Sequence, residues 1–204
     1  MRRAFGTRRD TPESLGFSGA YGVRQIKTDN VVIADGAAHD ADAVITNRPG
    51  LPVFVKAADC VPILLYDPAA NCVAAVHSGW QGTALNIAAK TVRALSAEYG
   101  SKPANLRAFI GPAICGECYE VGGEVSAAVS ATLQDKGAAA VPGKPLNIDL
   151  KAAVAQQLTE AGVTEISVHP DCTKCNPDKY WSHRHCAANG IERGGGNNIS
   201  IIEL

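Results

Sequence analysis

Two residues that can do chemistry stand at the ends of two short apolar runs. The runs cover residues 61–66 and 72–76, and a turn-forming Asp-Pro-Ala-Ala-Asn segment separates them, so the pattern predicts paired or neighbouring strands. Cys60 precedes the first run and His77 ends the second. If the two strands pair antiparallel, Cys60 and His77 meet at one rim of a sheet. A thiolate and an imidazole at that rim suit either metal ligation or nucleophilic catalysis.

The composition limits what this rim can belong to. The chain has 204 residues, 46% of them hydrophobic, which favours one large domain with a substantial core. Its 19 basic and 20 acidic residues give no general attraction for nucleic acid or for an anionic membrane surface. No apolar run approaches the roughly 20 residues of a membrane span. We therefore expect a cytoplasmic protein that acts on a small molecule, as a monomer or a small homo-oligomer.

The order of predicted elements indicates a mixed α/β class. Residues 1–22 are polar and arginine-rich and predict a solvated or loosely docked arm. Residues 23–26 and 31–33 look like a hairpin, and the chain stays strand-rich up to His77. Apolar residues at helical spacing then predict a helix over 85–99 that ends at Gly100, and Asp149 is a plausible N-cap for a later helix.

A long stretch near the end, residues 169–196, is predicted to be irregular. It is too rich in Tyr, Trp, His and Cys for a disordered tail, and loops of this length usually have a function. Two Cys-x-x-Cys pairs, Cys115/Cys118 and Cys172/Cys175, could form one four-thiolate zinc site. The gap between the pairs is far longer than in a compact zinc ribbon, so these cysteines, and Cys186, are interpreted as mostly structural thiols.

Four motifs follow one another along the chain: KAADCVPILLYD, VAAVHSGWQGT, FIGPAICGECYEVGGEV and YWSHRH. Together they resemble the YfiH-type laccase-domain family, whose members are variously labelled purine nucleoside phosphorylase, polyphenol oxidase or peptidoglycan editing factor. The resemblance covers residues from about Asp40 to the C-terminus. It implies a single domain over residues 1–204, with mixed sheets covered by helices in an α/β/β/α layering. It also implies a zinc site built from two histidines and the cysteine of the ADC motif.

The family's metal ligands carry over in part. The cysteine falls on Cys60 and one histidine on His77, but Lys27 stands where the other histidine would be. A protonated lysine cannot ligate zinc, so the metal depends on a substitute. His39 or His183 could complete the site, or Lys27 could replace the metal as a fixed positive charge that stabilises the Cys60 thiolate.

Other residues are candidates for substrate contact or positioning. Arg184 matches an arginine of the family and is expected to act in catalysis, and Arg24, with Lys27, is expected to bind substrate. Gln81 stands where the family commonly has arginine. Trp80 could stack on a base or plug the corner between strand and helix. Asp59 could orient an imidazole or cap a turn.

Three classes of function follow from these residues. The first is purine nucleoside chemistry, either phosphorolysis or deamination by a zinc-bound hydroxide, with nucleoside and phosphate as substrates. The second is cysteine-dependent hydrolysis, such as trimming a cell-wall precursor, with Cys60 as nucleophile and His77 as base. The third is an inactive relative that only binds a ligand. Copper oxidation is a poor match, because it needs many more histidines than the five present.

Overall fold

The structure, a computed structural model, describes residues 1–192 and 194–204 and contains two β-sheets packed face to face, with helices over the larger sheet. This arrangement confirms the predicted mixed α/β class. The strands are β1 (Arg2–Phe5), β2 (Tyr21–Gly22), β3 (Val31–Ile33), β4 (Ala43–Thr46), β5 (Val53–Ala57), β6 (Val61–Asp67), β7 (Cys72–Ser78), β8 (Arg107–Ile110), β9 (Glu165–Val168) and β10 (Asn198–Glu203). The α-helices are α1 (Trp80–Ala84), α2 (Ile87–Tyr99), α3 (Gly123–Ala131), α4 (Leu150–Glu160) and α5 (His183–Ala188).

The larger sheet has six strands in the order β3-β4-β7-β6-β8-β9. Strands β6 and β7 pair antiparallel at its centre, with Pro62 opposite His77, which confirms the pairing predicted from the two apolar runs. All seven residues of β7 are buried, because helices cover one face of this sheet and the second sheet covers the other. The central strands therefore read as continuous apolar runs.

The smaller sheet has four strands in the order β1-β10-β5-β2. Its inner face packs on the larger sheet, and its outer face is covered by residues 15–20, which form turns rather than a helical layer. The fully buried side chains between the two sheets are Val44, Val53, Val55, Leu64, Val73, Ala75 and Ile202. This interlayer holds the ends of β5 and β6 in place, and the segment between those two strands carries Cys60.

Two helix boundaries follow the sequence predictions. Gly100 ends α2 in the left-handed region at φ +68°, a conformation that glycine adopts without strain. The Asp149 side chain accepts a hydrogen bond from the Ala152 backbone N–H at the start of α4. The predicted helix over 85–99 begins later, because Asn86 takes a left-handed conformation and separates α1 from α2.

Three local predictions are wrong. The segment 1–22 is not loosely attached, since Arg2–Phe5 form β1 and pair along β10. The hairpin over 23–33 is absent from the described residues, because β3 instead runs parallel to β4. The irregular stretch contains α5, which begins where the Ser182 side chain accepts a hydrogen bond from the His185 N–H.

The longest helix, α2, has 13 residues. Within residues 1–192 and 194–204, no helix combines the length and apolar character needed to cross a membrane.

Replacing a leucine in the interlayer should destabilise the fold far more than replacing one at the surface. Leu64 is fully buried between the sheets, whereas Leu146 is 50% exposed. Leu64→Ala should lower the free energy of unfolding by about 2–5 kcal/mol, through lost burial and the cavity it leaves. Leu146→Ala should change it by less than about 1 kcal/mol. Urea unfolding of both variants measures this, and equal losses would contradict the described packing.

Candidate active site

The register of three neighbouring strands brings Asp42, His77 and Cys60 to one edge of the larger sheet. Ala43 of β4 lies opposite Val76 of β7, so Asp42 stands beside His77. Cys60 directly precedes β6 on the other side of β7. A methyl group placed on Gly79 would lie 3.1 Å from Cys60 Sγ and 3.8 Å from His77 Cε1. The sulfur and the imidazole therefore face the same small space, as the sequence predicts.

The His77 imidazole is held by a buried carboxylate. His77 Nδ1 lies 2.7 Å from Asp42 Oδ1, and the His77 backbone N–H donates to the Asp42 carbonyl at 2.7 Å. Burial alone would lower the pKa of His77, but hydrogen bonds to Asp42 and Cys60 outweigh burial and raise this pKa to about 9. The ring is therefore an imidazolium at neutral pH. Because Nδ1 bonds to Asp42, Nε2 is the ring nitrogen that can interact with Cys60 or a substrate.

The second oxygen of the same carboxylate shapes the segment that carries Lys27. Asp42 Oδ2 accepts hydrogen bonds from the Ile26 N–H at 3.2 Å and the Thr28 N–H at 2.7 Å. Between those two residues, Lys27 is in the left-handed region at φ +64°, which non-glycine residues rarely adopt. One carboxylate thus positions both the imidazole and the Lys27 backbone.

Asp59 shapes the other side of the site but does not contact His77. Its backbone is at φ +91°, where the chain passes from β5 in one sheet to β6 in the other. Its carboxylate accepts hydrogen bonds from Thr173 Oγ1 and from the Arg184 backbone N–H, both at 2.7 Å. Among the described residues, neither of the two expected roles of Asp59 appears. Its carboxylate bonds to the first turn of α5 rather than within its own turn, and the imidazole is oriented by Asp42.

Cys60 and His77 open into a cleft of about 610 Å³. Its walls combine apolar groups with three cations, Lys27, Lys56 and Arg184, and one carboxylate, Asp59, and His183 also lines it. Arg184 lies over the Tyr119 ring, 4.8 Å from its centroid, and donates to the Glu120 carbonyl at 2.9 Å. The described residues provide no carboxylate partner for Lys27, Lys56 or Arg184 within ion-pair distance. The cleft is therefore suited to an anion.

Four residues considered at the sequence level lie elsewhere. Arg24 pairs with Asp40 on the surface, and its side chain is 76% exposed. Neither Trp80 nor Gln81, both in α1, is among the described residues that line the cleft. His39 bonds to the Asp35 carboxylate and also lies outside it. Trp80 is the first residue of α1 and is 37% exposed, so most of its surface is covered by the protein.

The donor set of the cleft does not fit a three-ligand zinc site. Cys60 and His77 supply two donors, and Lys27 occupies the third position of the family pattern. Among the described residues, neither of the two belongs to a group of three or more converging His, Cys, Asp or Glu donors. His183 lines the same cleft without joining such a group. We therefore derive no chemistry through a metal at this site.

A group of four donors lies outside the cleft. The sulfur atoms of Cys115, Cys118, Cys172 and Cys175 lie within 4.8 Å of one another and could hold a metal ion. The two Cys-x-x-Cys pairs therefore come together despite the long gap between them, as the four-thiolate alternative requires. A long gap is no obstacle to this, because the entropic cost of closing a loop rises only slowly with its length. Cys72 is fully buried in β7, as expected.

Two positions of the site were missed at the sequence level. Asp42 lies in an Asp-Ala-Asp-Ala turn that resembles any strand entry, and its role depends on β4 pairing with the distant β7. Gly79 leaves room between Cys60 and His77 because it has no side chain. In the sequence, the glycine directly after His77 and Ser78 is the feature that could have indicated a close approach of Cys60 to His77.

Two packed mixed sheets, with a Cys-His pair and a cleft at one edge of the larger sheet, define the class as a single-domain α/β protein. A family model described as "Multi-copper polyphenol oxidoreductase laccase" matches residues 6–204. The chain belongs to this family.

Solved structures and curated relatives agree with this assignment. The crystal structure of the hypothetical protein YfiH from Bacillus licheniformis superposes with a TM-score of 0.85 at 33% identity, covering 97% of this chain and 79% of that one. YlmD from Geobacillus stearothermophilus superposes with a TM-score of 0.84 at 29% identity, covering 96% of this chain and 78% of that one. A protein of Streptomyces coelicolor named purine nucleoside phosphorylase is 37% identical over 185 residues, 87% of this chain and 75% of the relative. A Streptomyces griseus protein of the same name is 37% identical over 157 residues, 77% of this chain and 63% of the relative.

Removing the charge of Asp42 should lower the pKa of His77. In Asp42→Asn the pKa should fall from about 9 toward the ordinary value of 6.5, because the amide offers no negative charge to the imidazolium. NMR titration of the His77 ring measures the change. Asp40→Asn, two positions away on the surface, is the matched control and should leave the His77 pKa unaltered.

The same shift gives a pH dependence of stability. Because the folded-state pKa of His77 is raised, its stabilising contribution is complete below pH 6.5 and is lost as pH rises toward 9. Urea unfolding across this window should show a steeper decline for the native protein than for Asp42→Asn. An identical decline in both proteins would contradict the assigned Asp42–His77 interaction.

Proposed function

We propose that the chain is an enzyme that splits purine nucleosides with inorganic phosphate. The observation that carries this proposal is the cleft itself, where Lys27, Lys56 and Arg184 surround the Cys60–His77 pair without carboxylate partners. In a chain of net charge −1, this is a local excess of positive charge, and it favours binding of an anion such as phosphate. The names of the Streptomyces relatives support the same substrate class.

The apolar part of the cleft suits a flat, weakly polar group. Val23, Ala57, Ala58 and Tyr119 line the cleft together with Cys60. A purine base can bury its faces against such side chains while its ribose lies toward the sulfur and the imidazole. Displacement at the anomeric carbon requires phosphate on the side of the ribose away from the base, and in this proposal Lys27 and Arg184 bind it there.

The His77 imidazolium is suited to act as the general acid. The bond between the ribose anomeric carbon and the purine nitrogen breaks, and its electron pair leaves with the base. A proton from His77 Nε2 neutralises that base, while a phosphate oxygen forms the new bond to the anomeric carbon. Asp42 keeps the imidazole protonated and oriented. The products are a free purine and ribose 1-phosphate.

Cys60 has an electrostatic role in this scheme. The Cys60 sulfur lies beside the His77 imidazole, and in this scheme it stabilises the positive charge that develops on the sugar ring as the base departs. Lys27 supplies the fixed positive charge at the position where the family has a metal-binding histidine. Deamination by a metal-bound hydroxide is not proposed, because the donor set does not fit it.

A second function is favoured by the spatial arrangement of Cys60, His77 and Asp42, in which His77 lies between the other two. A nucleophile, a base and a carboxylate that orients the base form the relay of cysteine hydrolases. In that reaction the Cys60 sulfur attacks an amide carbonyl of a cell-wall precursor, the amine leaves with a proton from His77, and water releases the acyl group. This reaction needs no phosphate, so the two candidates separate by experiment.

Nucleoside cleavage should depend on both phosphate and Cys60. Release of hypoxanthine from inosine, or of adenine from adenosine, is measured with and without inorganic phosphate. Cys60→Ala should lower kcat by at least about 100-fold, since it removes the sulfur that stabilises the developing cation. Unchanged kcat in Cys60→Ala would exclude this mechanism. Phosphate-independent release of an amine from a muropeptide, with an acyl adduct on Cys60 in the mass spectrum, would favour the hydrolase instead.

Arginine at position 184 should control the affinity for phosphate. Arg184→Gln should raise the KM for phosphate by about tenfold or more, which corresponds to the loss of one charge-assisted contact. Arg24→Gln is the matched control, because Arg24 is paired with Asp40 outside the cleft, and its KM should stay the same. Lys27→Gln tests the second cation without touching α5. If neither Arg184→Gln nor Lys27→Gln changes the KM, phosphate binds elsewhere.

A further inference from the structure

The two Cys-x-x-Cys turns meet outside the cleft, although 57 residues separate their matching positions. Cys115 and Cys118 bound a single 3₁₀ turn, Gly116–Cys118, after β8. Cys172 and Cys175 lie in the turn that follows β9. Strands β8 and β9 are parallel neighbours, so both turns leave the sheet at the same end. The bridge between Ala113 and Cys172 continues this parallel pairing up to the cysteines.

We propose that the four thiolates of Cys115, Cys118, Cys172 and Cys175 hold one structural zinc ion. Tetrahedral zinc with bonds of about 2.3 Å requires sulfur atoms roughly 3.8 Å apart. Here Cys118 Sγ and Cys175 Sγ are 3.4 Å apart, and all four sulfurs lie within 4.8 Å of one another. Small side-chain movements therefore reach the required geometry. Four protein ligands leave no open position, which distinguishes a structural zinc site from a catalytic one.

One backbone hydrogen bond already points at the cluster. The Cys115 backbone N–H donates to Cys172 Sγ at 3.3 Å, and bonds of this kind orient metal ligands. Lys144 braces the first Cys-x-x-Cys turn, since its Nζ donates to the Glu117 carbonyl at 3.2 Å and pairs with the Glu117 carboxylate at 2.6 Å.

Convergence of all four sulfurs favours a metal over disulfides. A disulfide joins two sulfurs at about 2.05 Å and constrains nothing about a second pair. Here two separate pairs come together as one group of four. The space between them suits a single ion, since a cluster of several iron and sulfide ions needs a wider cage. Soft thiolate ligands in a tetrahedral set favour zinc among the common divalent ions.

The ion would position the cleft without taking part in its chemistry. Thr173 lies inside the second turn and donates to the Asp59 carboxylate, next to Cys60. Tyr119 directly follows Cys118, and its ring supports the Arg184 guanidinium. A metal that joins the two turns therefore fixes both supports of the cleft relative to each other. This role is independent of which reaction the cleft catalyses.

Zinc content measures the proposal directly. Protein purified under reducing conditions should contain about one zinc per chain by elemental analysis. Cys118→Ser and Cys175→Ser should each lower the zinc content, after dialysis against a chelator, to below about a tenth of an atom per chain. Cys60→Ser is the matched control and should retain the zinc. Zinc that survives in the first two variants, or that is lost in Cys60→Ser, would overturn the assignment.

Two further measurements distinguish the loss of a metal ligand from a folding defect in the variants. Cys175 is exposed, so its replacement by serine removes a ligand with little effect on packing. Co²⁺ added alone to the metal-free native protein should give intense thiolate-to-cobalt absorption, which Cys175→Ser should weaken. Chelation should lower the midpoint of thermal unfolding by more than about 5 °C, and zinc alone should restore it. Metal-free protein with an unchanged midpoint, or with the four cysteines recovered as disulfides from reducing cells, would refute the proposal.

Discussion

One buried carboxylate controls the geometry of the candidate active site. Asp42 is fully buried, and a carboxylate in that environment is tolerated only when its oxygens are satisfied by hydrogen bonds. One oxygen meets His77 Nδ1, and the other accepts the backbone N–H groups on either side of Lys27. The same contacts that offset the cost of burying this charge also orient the imidazole and bend the chain at Lys27. Folding and site geometry are therefore coupled at a single side chain.

The second constraint on the geometry of the site is the segment in which the chain passes from one sheet to the other. β5 ends in the smaller sheet and β6 begins in the larger one, with three residues between them. Asp59 makes this sharp passage possible through a left-handed backbone conformation, and its carboxylate then binds Thr173 and the start of α5. Cys60 follows immediately. The sulfur is thus held between a sheet edge and a distant part of the chain, which explains how residues far apart in sequence line one cleft.

Local sequence patterns were sufficient for some of these features and insufficient for others. The pairing of β6 with β7, and with it the approach of Cys60 to His77, follows from two adjacent apolar runs and a short turn. The partner of His77 could not be inferred, because β4 joins β7 only through a non-local pairing. Helix α5 lacks an apolar periodicity and depends on the Ser182 cap. The cysteine cluster likewise depends on the pairing of β8 with β9. This pairing could not be inferred from the sequence, because a long segment separates the two strands.

The left-handed turn at Lys27 has a consequence for protein engineering. Its conformation is imposed by backbone hydrogen bonds to Asp42, so it does not depend on which side chain occupies the position, provided that the residue is neither proline nor β-branched. The Lys27 side chain is exposed to the cleft and contributes little to the core. Position 27 therefore offers a place where a combinatorial library can vary reactivity at nearly constant stability. A change from a charged group to a metal ligand there would alter the chemistry while the scaffold stays the same.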